Sequence, residues 1–242
     1  IYTYRELTFG VSLSFNQTKN EISHLIKIGF PLLFANLCST LILTVDRQFV
    51  NWFFDTSTYA IYAFAYNLLA LVTVATSAIS VVLYPILKRS ETKKMIDKYG
   101  VIMQLLLLFI FGALVIYFPL VEIVKIFLPK YTASLLIFRI IFPGLAVSSA
   151  ITVVIHNYFK ALGINSLFFK KSVAILICNV IVNIVICFIF HSTTIISISS
   201  IVVMLVWYVY VESTLRKRFQ ICGGKSLLYI IFMMIAFYAS TQ

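Results

Sequence analysis

The chain has 242 residues and a formal net charge of +11, with 62% hydrophobic and only 11% charged side chains and a mean hydropathy of +1.03. Soluble domains are nearer half apolar and a quarter charged, so this composition excludes an ordinary water-soluble domain. The positive charge does not indicate nucleic-acid binding, because the basic residues fall in short clusters between apolar runs, which is typical of a membrane topology signal.

Residues 1–27 form the most polar long segment and are predicted to be a cytoplasmic linker that includes a weakly amphipathic, interfacial piece. Residues 28–242 contain seven apolar runs, most of them near the roughly 20 residues that cross a bilayer as a helix. These runs are 28–54, 58–87, 99–118, 135–158, 172–190, 194–211 and 226–240. The predicted fold is therefore an all-α, polytopic integral membrane helical bundle of about seven spans.

The basic residues predict which way the bundle is oriented. Most of the 19 Lys and Arg precede the first run or lie between runs two and three, four and five, and six and seven. Only Lys125 and Lys130 lie in the connections on the opposite side. By the positive-inside rule the first side is cytoplasmic, which predicts a multi-pass protein with a cytoplasmic N-terminus.

The first run contains two adjacent charged residues, Asp46 and Arg47. A charge at mid-bilayer costs at least about 2.5–3.5 kcal/mol, so such side chains face protein or water. Adjacent residues point about 100° apart on a helix, so the two side chains can hardly both face lipid. Either they form a buried ion pair with a neighbouring helix, or they line a cavity.

The fourth run contains Arg139 followed by Pro143. A proline cannot donate the hydrogen bond that the carbonyl of Arg139 would accept, which predicts a kink at this point. A guanidinium on a weakened turn is typical of broken-helix sites in transporters, whereas snorkelling of Arg139 to the outer interface is the alternative. Asn157 returns to the same face five turns later.

The second run carries Tyr59, Tyr62 and Tyr66 at helical spacing, followed by several Thr and Ser residues. Tyrosine rings can stack on sugars while their hydroxyls bond to them, although small hydroxylated residues also join neighbouring membrane helices. Asn179 and Asn183, four residues apart in the fifth run, are predicted to make such helix contacts. No catalytic or metal-binding signature is present in the sequence, so no enzymatic activity, cofactor or metal is expected.

Six segments follow one another along the chain, and after them comes the helix that carries Asn179 and Asn183: KIGFPLLFANL, TVDRQFVNWFF, STYAIYAFAYNL, VVLYPIL, LPKYTASLLIFRIIFPGL and HNYFKALGINS. In this order they resemble the second half of bacterial polysaccharide flippases, the O-antigen and repeat-unit exporters of the multidrug/oligosaccharidyl-lipid/polysaccharide superfamily. The resemblance covers roughly residues 20–190, departs from the family at Thr58, where glycine is usual, and includes no counterpart of the N-terminal six-helix bundle.

The resemblance implies that the chain is the C-terminal half of a two-bundle, alternating-access transporter in the bacterial cytoplasmic (inner) membrane. Such flippases move undecaprenyl-pyrophosphate-linked oligosaccharides from the inner to the outer leaflet for the biosynthesis of surface polysaccharides such as the O-antigen of lipopolysaccharide. The implied partners are the lipid-linked oligosaccharide, membrane lipid and a coupling ion, either a proton or sodium. The residues with implied roles are Arg47 and Arg139 for the headgroup, Asp46 for ion or proton coupling, and Asn157, Tyr59, Tyr62 and Tyr66 for the substrate.

Three alternatives remain open. A drug or cation antiporter of the same superfamily is disfavoured because Asp46 is expected to be the only carboxylate well inside a span. A membrane glycan polymerase or ligase is disfavoured by the short external connections. A purely structural membrane subunit would need a structural explanation for two intramembrane arginines.

Overall fold

The computed structural model describes residues 15–221 and 225–241, and this part of the chain is helical and contains no strand. Five helices are long and apolar enough to cross a membrane, or six when one bent pair is counted as a single span. A seventh apolar helix near the end of the chain is shorter. The prediction of an all-helical, polytopic membrane fold is confirmed. Residues 1–14 of the predicted linker lie outside the described residues.

The first apolar run forms two helices instead of one. Helix α1 spans Phe15–Ile42, so it runs through residue 27 without interruption, and helix α2 spans Val45–Phe53. Near the break, the hydroxyls of Ser39, Thr40 and Thr44 each donate to the carbonyl four residues earlier, at 2.8, 3.1 and 2.9 Å. Such back-bonding bends helices, which accounts for a break without proline or glycine.

Helix α3 spans Thr56–Arg89 and begins at a well-formed cap. The carboxylate of Asp55 accepts hydrogen bonds from the backbone of Ser57 and Thr58, at 3.0 and 3.1 Å, and from the Thr58 hydroxyl at 2.6 Å. These bonds, that of the Thr58 hydroxyl above all, lower the pKa of Asp55. The threonine that departs from the flippase pattern therefore supplies a cap contact.

The third apolar run is longer than predicted. Helix α4 spans Thr92–Ala113, a short 3₁₀ turn follows, and helix α5 spans Tyr117–Phe127. Together they form a continuous apolar segment of 36 residues, Thr92–Phe127. The segment after residue 118, which was predicted to connect two spans, therefore begins within helix α5.

The fourth apolar run is bent by 46°. Helix α6 spans Ser134–Ile141, and helix α7 begins after Pro143 and spans Gly144–Ser149. A π-helical turn and helix α8, His156–Ala161, complete the span. The predicted kink at Pro143 is confirmed.

The last three helices are α9, Asn165–Ile189, α10, Thr193–Phe219, and α11, Lys225–Ser240. At 1.5 Å per residue, the 16 residues of α11 extend roughly 24 Å, less than the roughly 30 Å of a bilayer core. This helix corresponds to the short seventh run.

The fourth span lies at the centre of the bundle. Most side chains between residues 137 and 159 are buried, and Phe138, Phe142, Tyr158 and Phe159 are among the largest fully buried ones. Helix α6 packs against α3 and α10, while the short helix α2 packs against α3, α9 and α10. One face of α2, which carries the buried residues Asp46, Phe49 and Val50, is therefore covered by three long helices.

Candidate functional site

The break between α1 and α2 is stabilised by a hydrogen bond from α9, which is the fifth span. The last carbonyl of α1, that of Ile42, accepts a hydrogen bond from Asn179 Nδ2 at 3.0 Å. Asn183 Nδ2 in turn donates to the backbone oxygen and Oδ1 of Asn179, at 2.9 and 2.8 Å. Asn179 thus makes the predicted contact between helices and satisfies a carbonyl that the break leaves without its helical partner, whereas the hydrogen bonds of Asn183 stay within α9.

The carboxylate of Asp46, in the first turn of α2, is 2% exposed and is surrounded by donors. Its Oδ2 atom accepts from the hydroxyls of Tyr62 at 2.9 Å, Tyr66, and Ser200 at 3.1 Å. Its Oδ1 atom accepts from the backbone N–H of Arg47 at 2.8 Å. Among the described residues no basic side chain forms a salt bridge with it. Hydroxyl groups, and not the ion pair that was one of the two alternatives, hold this carboxylate.

The guanidinium of Arg47 lies over the ring of Tyr66, with its central carbon 4.7 Å from the ring centroid. A cation on an aromatic face is stabilised by about 0.5–2 kcal/mol. The buried Nε atom of Arg47 has no hydrogen-bond partner within the part of the chain that the structure describes. Leaving such a donor unsatisfied is costly, so an acceptor that reached it would bind favourably.

The three predicted tyrosines differ in their surroundings. Tyr62 and Tyr66 are buried, with ring centroids 5.2 Å apart, and direct their hydroxyls at Asp46. Tyr59 is half-buried, and its hydroxyl makes no hydrogen bond to any described residue. In this arrangement Tyr62 and Tyr66 position the carboxylate, whereas Tyr59 is less enclosed.

The other two predicted substrate residues make separate contacts. Arg139 Nε donates to Thr241 Oγ1 of the segment after α11 at 3.1 Å. Asn157 Nδ2 donates to the backbone oxygen and hydroxyl of Ser80, at 3.1 and 2.8 Å, and to the carbonyl of Val153 at 2.8 Å. The structure therefore brings Asp46, Arg47 and two tyrosines together but gives Arg139 and Asn157 different partners.

A second buried carboxylate, Glu212, lies in a helix that is long and apolar enough to span a membrane. Helix α10 continues to Phe219, beyond the predicted end of the sixth run, and therefore includes Glu212, which is 5% exposed. Glu212 Oε1 accepts from Arg216 Nη2 at 2.7 Å and from Ser226 Oγ at 3.1 Å. The spacing of four residues between Glu212 and Arg216 is the sequence signal for such a pair.

Ser200 is a further residue of the Asp46 site that sequence reasoning missed. It is one of several serines in α10, and it lies 154 positions from Asp46 in the chain. No local pattern distinguishes Ser200 from its neighbours, so only the packing of α10 against α2 identifies it.

Residues 1–91 match the family model described as polysaccharide biosynthesis protein. No curated protein and no solved structure matches the chain. The family match is consistent with a polysaccharide flippase-type protein and supports a role in polysaccharide biosynthesis or export. The matched segment includes Asp46, Arg47, Tyr62 and Tyr66, so most of the buried cluster lies within it.

Proposed function

We propose that the chain is the C-terminal half of a flippase that moves undecaprenyl-pyrophosphate-linked oligosaccharide repeat units from the inner to the outer leaflet of the bacterial cytoplasmic membrane. The observation that carries this proposal is a cation, Arg47, next in sequence to a buried carboxylate, Asp46, at a helix break inside an apolar bundle. The cluster lies in the segment that matches the polysaccharide biosynthesis family.

The transported headgroup explains why a cation is needed at this depth. A pyrophosphate and a chain of sugar hydroxyls cannot cross hydrocarbon without polar partners. Arginine suits this task because its planar fork binds phosphate oxygens through two parallel hydrogen bonds. The half-buried Arg47, whose Nε has no hydrogen-bond partner among the described residues, is the proposed contact for the pyrophosphate.

Exposed polar side chains on the same helices support a hydrated surface. Asn36 and Thr40 on α1, Gln48 on α2, and Asn67 and Ser77 on α3 are exposed, although α1 and α3 are apolar enough to span a membrane. Facing side-chain amides such as those of Asn36, Gln48 and Asn67 towards lipid is costly. We infer that these residues line the groove between this bundle and a second one, where sugar hydroxyls are their partners, with Tyr59 at its edge.

Asp46 is the proposed coupling group. Its hydrogen bonds join α2 to Tyr62 and Tyr66 of α3 and to Ser200 of α10. Protonation, or binding of sodium, would compete with these hydroxyl donors and weaken the attachment of α2 to two long helices. A change of charge at Asp46 would thereby alter the packing around Arg47, which is the link between ion and substrate that coupled transport needs.

The alternative of a drug or cation antiporter is less well supported. Such a transporter needs a carboxylate that is open to its substrate, whereas Asp46 and Glu212 both accept hydrogen bonds from neighbouring side chains. Glu212 also forms a salt bridge with Arg216. No feature of the described residues favours a glycan polymerase or ligase over transport.

The proposal is tested by replacing Arg47 in the whole protein and measuring membrane-inserted protein and surface glycan in the same cells. Arg47→Lys keeps the positive charge but loses the planar guanidinium that can form two parallel hydrogen bonds to phosphate, so it should retain partial export. Arg47→Ala loses both the charge and these hydrogen bonds and should retain little export. Arg89→Ala, which removes an exposed arginine at the end of α3, is the matched control and should export normally.

Normal abundance of Arg47→Ala with undiminished surface glycan would defeat the proposal. A loss of glycan that only follows a loss of protein would instead assign Arg47 a structural role.

A further inference from the structure

A cavity of about 520 Å³ lies beside α5, α6 and the end of α11. Its polar lining includes Arg139, Lys125, Glu122 and Thr241. None of these residues contributes to the hydrogen bonds around Asp46. The cavity is therefore built from a different set of residues than the Asp46 cluster.

The guanidinium of Arg139 is hydrogen-bonded through its Nε atom, and its two terminal nitrogens are not bonded to any described residue. Its Nε donates to Thr241 Oγ1 at 3.1 Å, and that hydroxyl donates to the carbonyl of Phe237 at 3.0 Å. Nearby, the hydroxyl of Tyr238 donates to the carbonyl of Ile140 at 2.7 Å, which fixes α11 against α6. Among the described residues no acceptor engages the two terminal nitrogens of Arg139, which are the atoms that form a fork for phosphate.

Among the described residues around the cavity, one positive charge has no opposite charge beside it. Lys125 Nζ lies 2.8 Å from the carboxylate of Glu122, so these two charges neutralise each other. Arg139 forms no salt bridge with any described acidic side chain. A lipid phosphate, which is anionic both as a monoester and as a diester, is opposite in sign to this charge.

The position of the cavity indicates that the ligand comes from the membrane. Lys125 lies near one end of the apolar segment Thr92–Phe127, roughly 48 Å from Lys93 at the other end. The connections at this end of the bundle contain few basic residues. The positive-inside rule therefore does not account for a cationic cavity here. Phe118 and Leu136, which also line the cavity, are 45% and 56% exposed and offer apolar surface to acyl chains.

We infer that this cavity binds the phosphate of a lipid headgroup, with Arg139 as the main contact and the acyl chains lying against Phe118 and Leu136. The phosphate can belong to a bilayer phospholipid or to a polyprenyl phosphate, since the recognising chemistry is the same. The inference requires no transport step, so it stands or falls independently of the flippase assignment.

Native mass spectrometry of the purified whole protein in detergent tests this inference with three added lipids. Phosphatidylglycerol and undecaprenyl phosphate carry a phosphate, whereas diacylglycerol with the same acyl chains as the phosphatidylglycerol does not. At least one of the phosphate lipids should bind about tenfold more tightly than diacylglycerol, because a charged hydrogen bond of roughly 1.5 kcal/mol corresponds to that factor. The phosphate lipid that binds identifies the source.

Variants link this binding to the cavity. Arg139→Gln should weaken binding of the phosphate lipid about tenfold and leave diacylglycerol unchanged. Lys125→Gln, at a side chain that is 51% exposed, should fold normally and weaken the same binding about threefold, because it leaves the carboxylate of Glu122 uncompensated beside the phosphate. Arg89→Gln, at the opposite end of the bundle, is the matched control and should bind like wild type.

Equal binding of diacylglycerol and both phosphate lipids would overturn the inference, because the cavity would then recognise only acyl chains. So would an Arg139→Gln variant that binds the phosphate lipids as tightly as Arg89→Gln does. Should Arg139→Gln fail to fold, unchanged phosphate-lipid binding by Lys125→Gln would be decisive against the inference.

Discussion

Replacing Tyr62 by phenylalanine removes one hydrogen bond to Asp46 and little else. Tyr62 is fully buried, and its hydroxyl lies 2.9 Å from Asp46 Oδ2. The phenyl ring keeps the packing of the tyrosine, so the change isolates the hydroxyl. A hydrogen bond to a charged group contributes about 1.5–3 kcal/mol, and we expect the free energy of unfolding of Tyr62→Phe to fall by about this amount.

Tyr59→Phe is the matched control for this change. Tyr59 lies on the same helix, is half-buried, and makes no side-chain hydrogen bond to any described residue. Its replacement should change the free energy of unfolding by less than about 0.5 kcal/mol. Thermal unfolding of wild type and both variants in the same detergent measures the difference, with Tyr62→Phe melting at the lower temperature.

A double-mutant cycle with Asp46→Asn identifies the partner of the hydroxyl. If Tyr62 acts through the carboxylate, Tyr62→Phe should cost clearly less in the Asp46→Asn background than in wild type. An undiminished cost in that background, or equal melting temperatures for Tyr62→Phe and Tyr59→Phe, would refute the role assigned to this hydrogen bond.

Two further predictions concern the orientation of the bundle and the cap of α3. Single cysteines introduced at the exposed Ser57 and Ser90 of a cysteine-free protein should be labelled from opposite sides of the membrane in intact cells, and labelling of both from outside would contradict the orientation. The lowered pKa of Asp55 means that its cap stabilises the fold above the ordinary pKa of aspartate, and that this stability is lost as the pH falls through the lowered value. Asp55→Ala should therefore melt below wild type at neutral pH, with the difference shrinking in acid; a difference that is independent of pH would show that the charge does not matter.

The spans and the bend of the fourth span follow from local sequence. Apolar runs of sufficient length predict membrane helices, and both ends of α3, the start of α6 and the end of α9 lie within two residues of the predicted ends. Pro143 cannot donate to the carbonyl of Arg139, so the bend of 46° at this position has a cause that is visible in the sequence.

The break before Asp46 depends on contacts between distant segments and could not be predicted in the same way. The carbonyl of Ile42 is satisfied by Asn179, which lies 137 positions away in the chain. Asp46 is satisfied by Tyr62, Tyr66 and Ser200 from two other helices. Sequence identified Asp46 and Arg47 as unusual because charges inside apolar runs are costly, but only packing determines that hydroxyls hold the carboxylate while the arginine stays unpaired with it.

The central claim, that Arg47 carries the pyrophosphate headgroup across the bilayer, is tested most directly in reconstituted vesicles. The whole protein is inserted into liposomes that contain an undecaprenyl-pyrophosphate-linked oligosaccharide, and movement of the sugar between leaflets is followed with a lectin that binds only at the outer surface. We expect transport by wild type and Arg89→Ala, reduced transport by Arg47→Lys, and background rates for Arg47→Ala at equal protein density. Transport by Arg47→Ala at the wild-type rate would contradict the account.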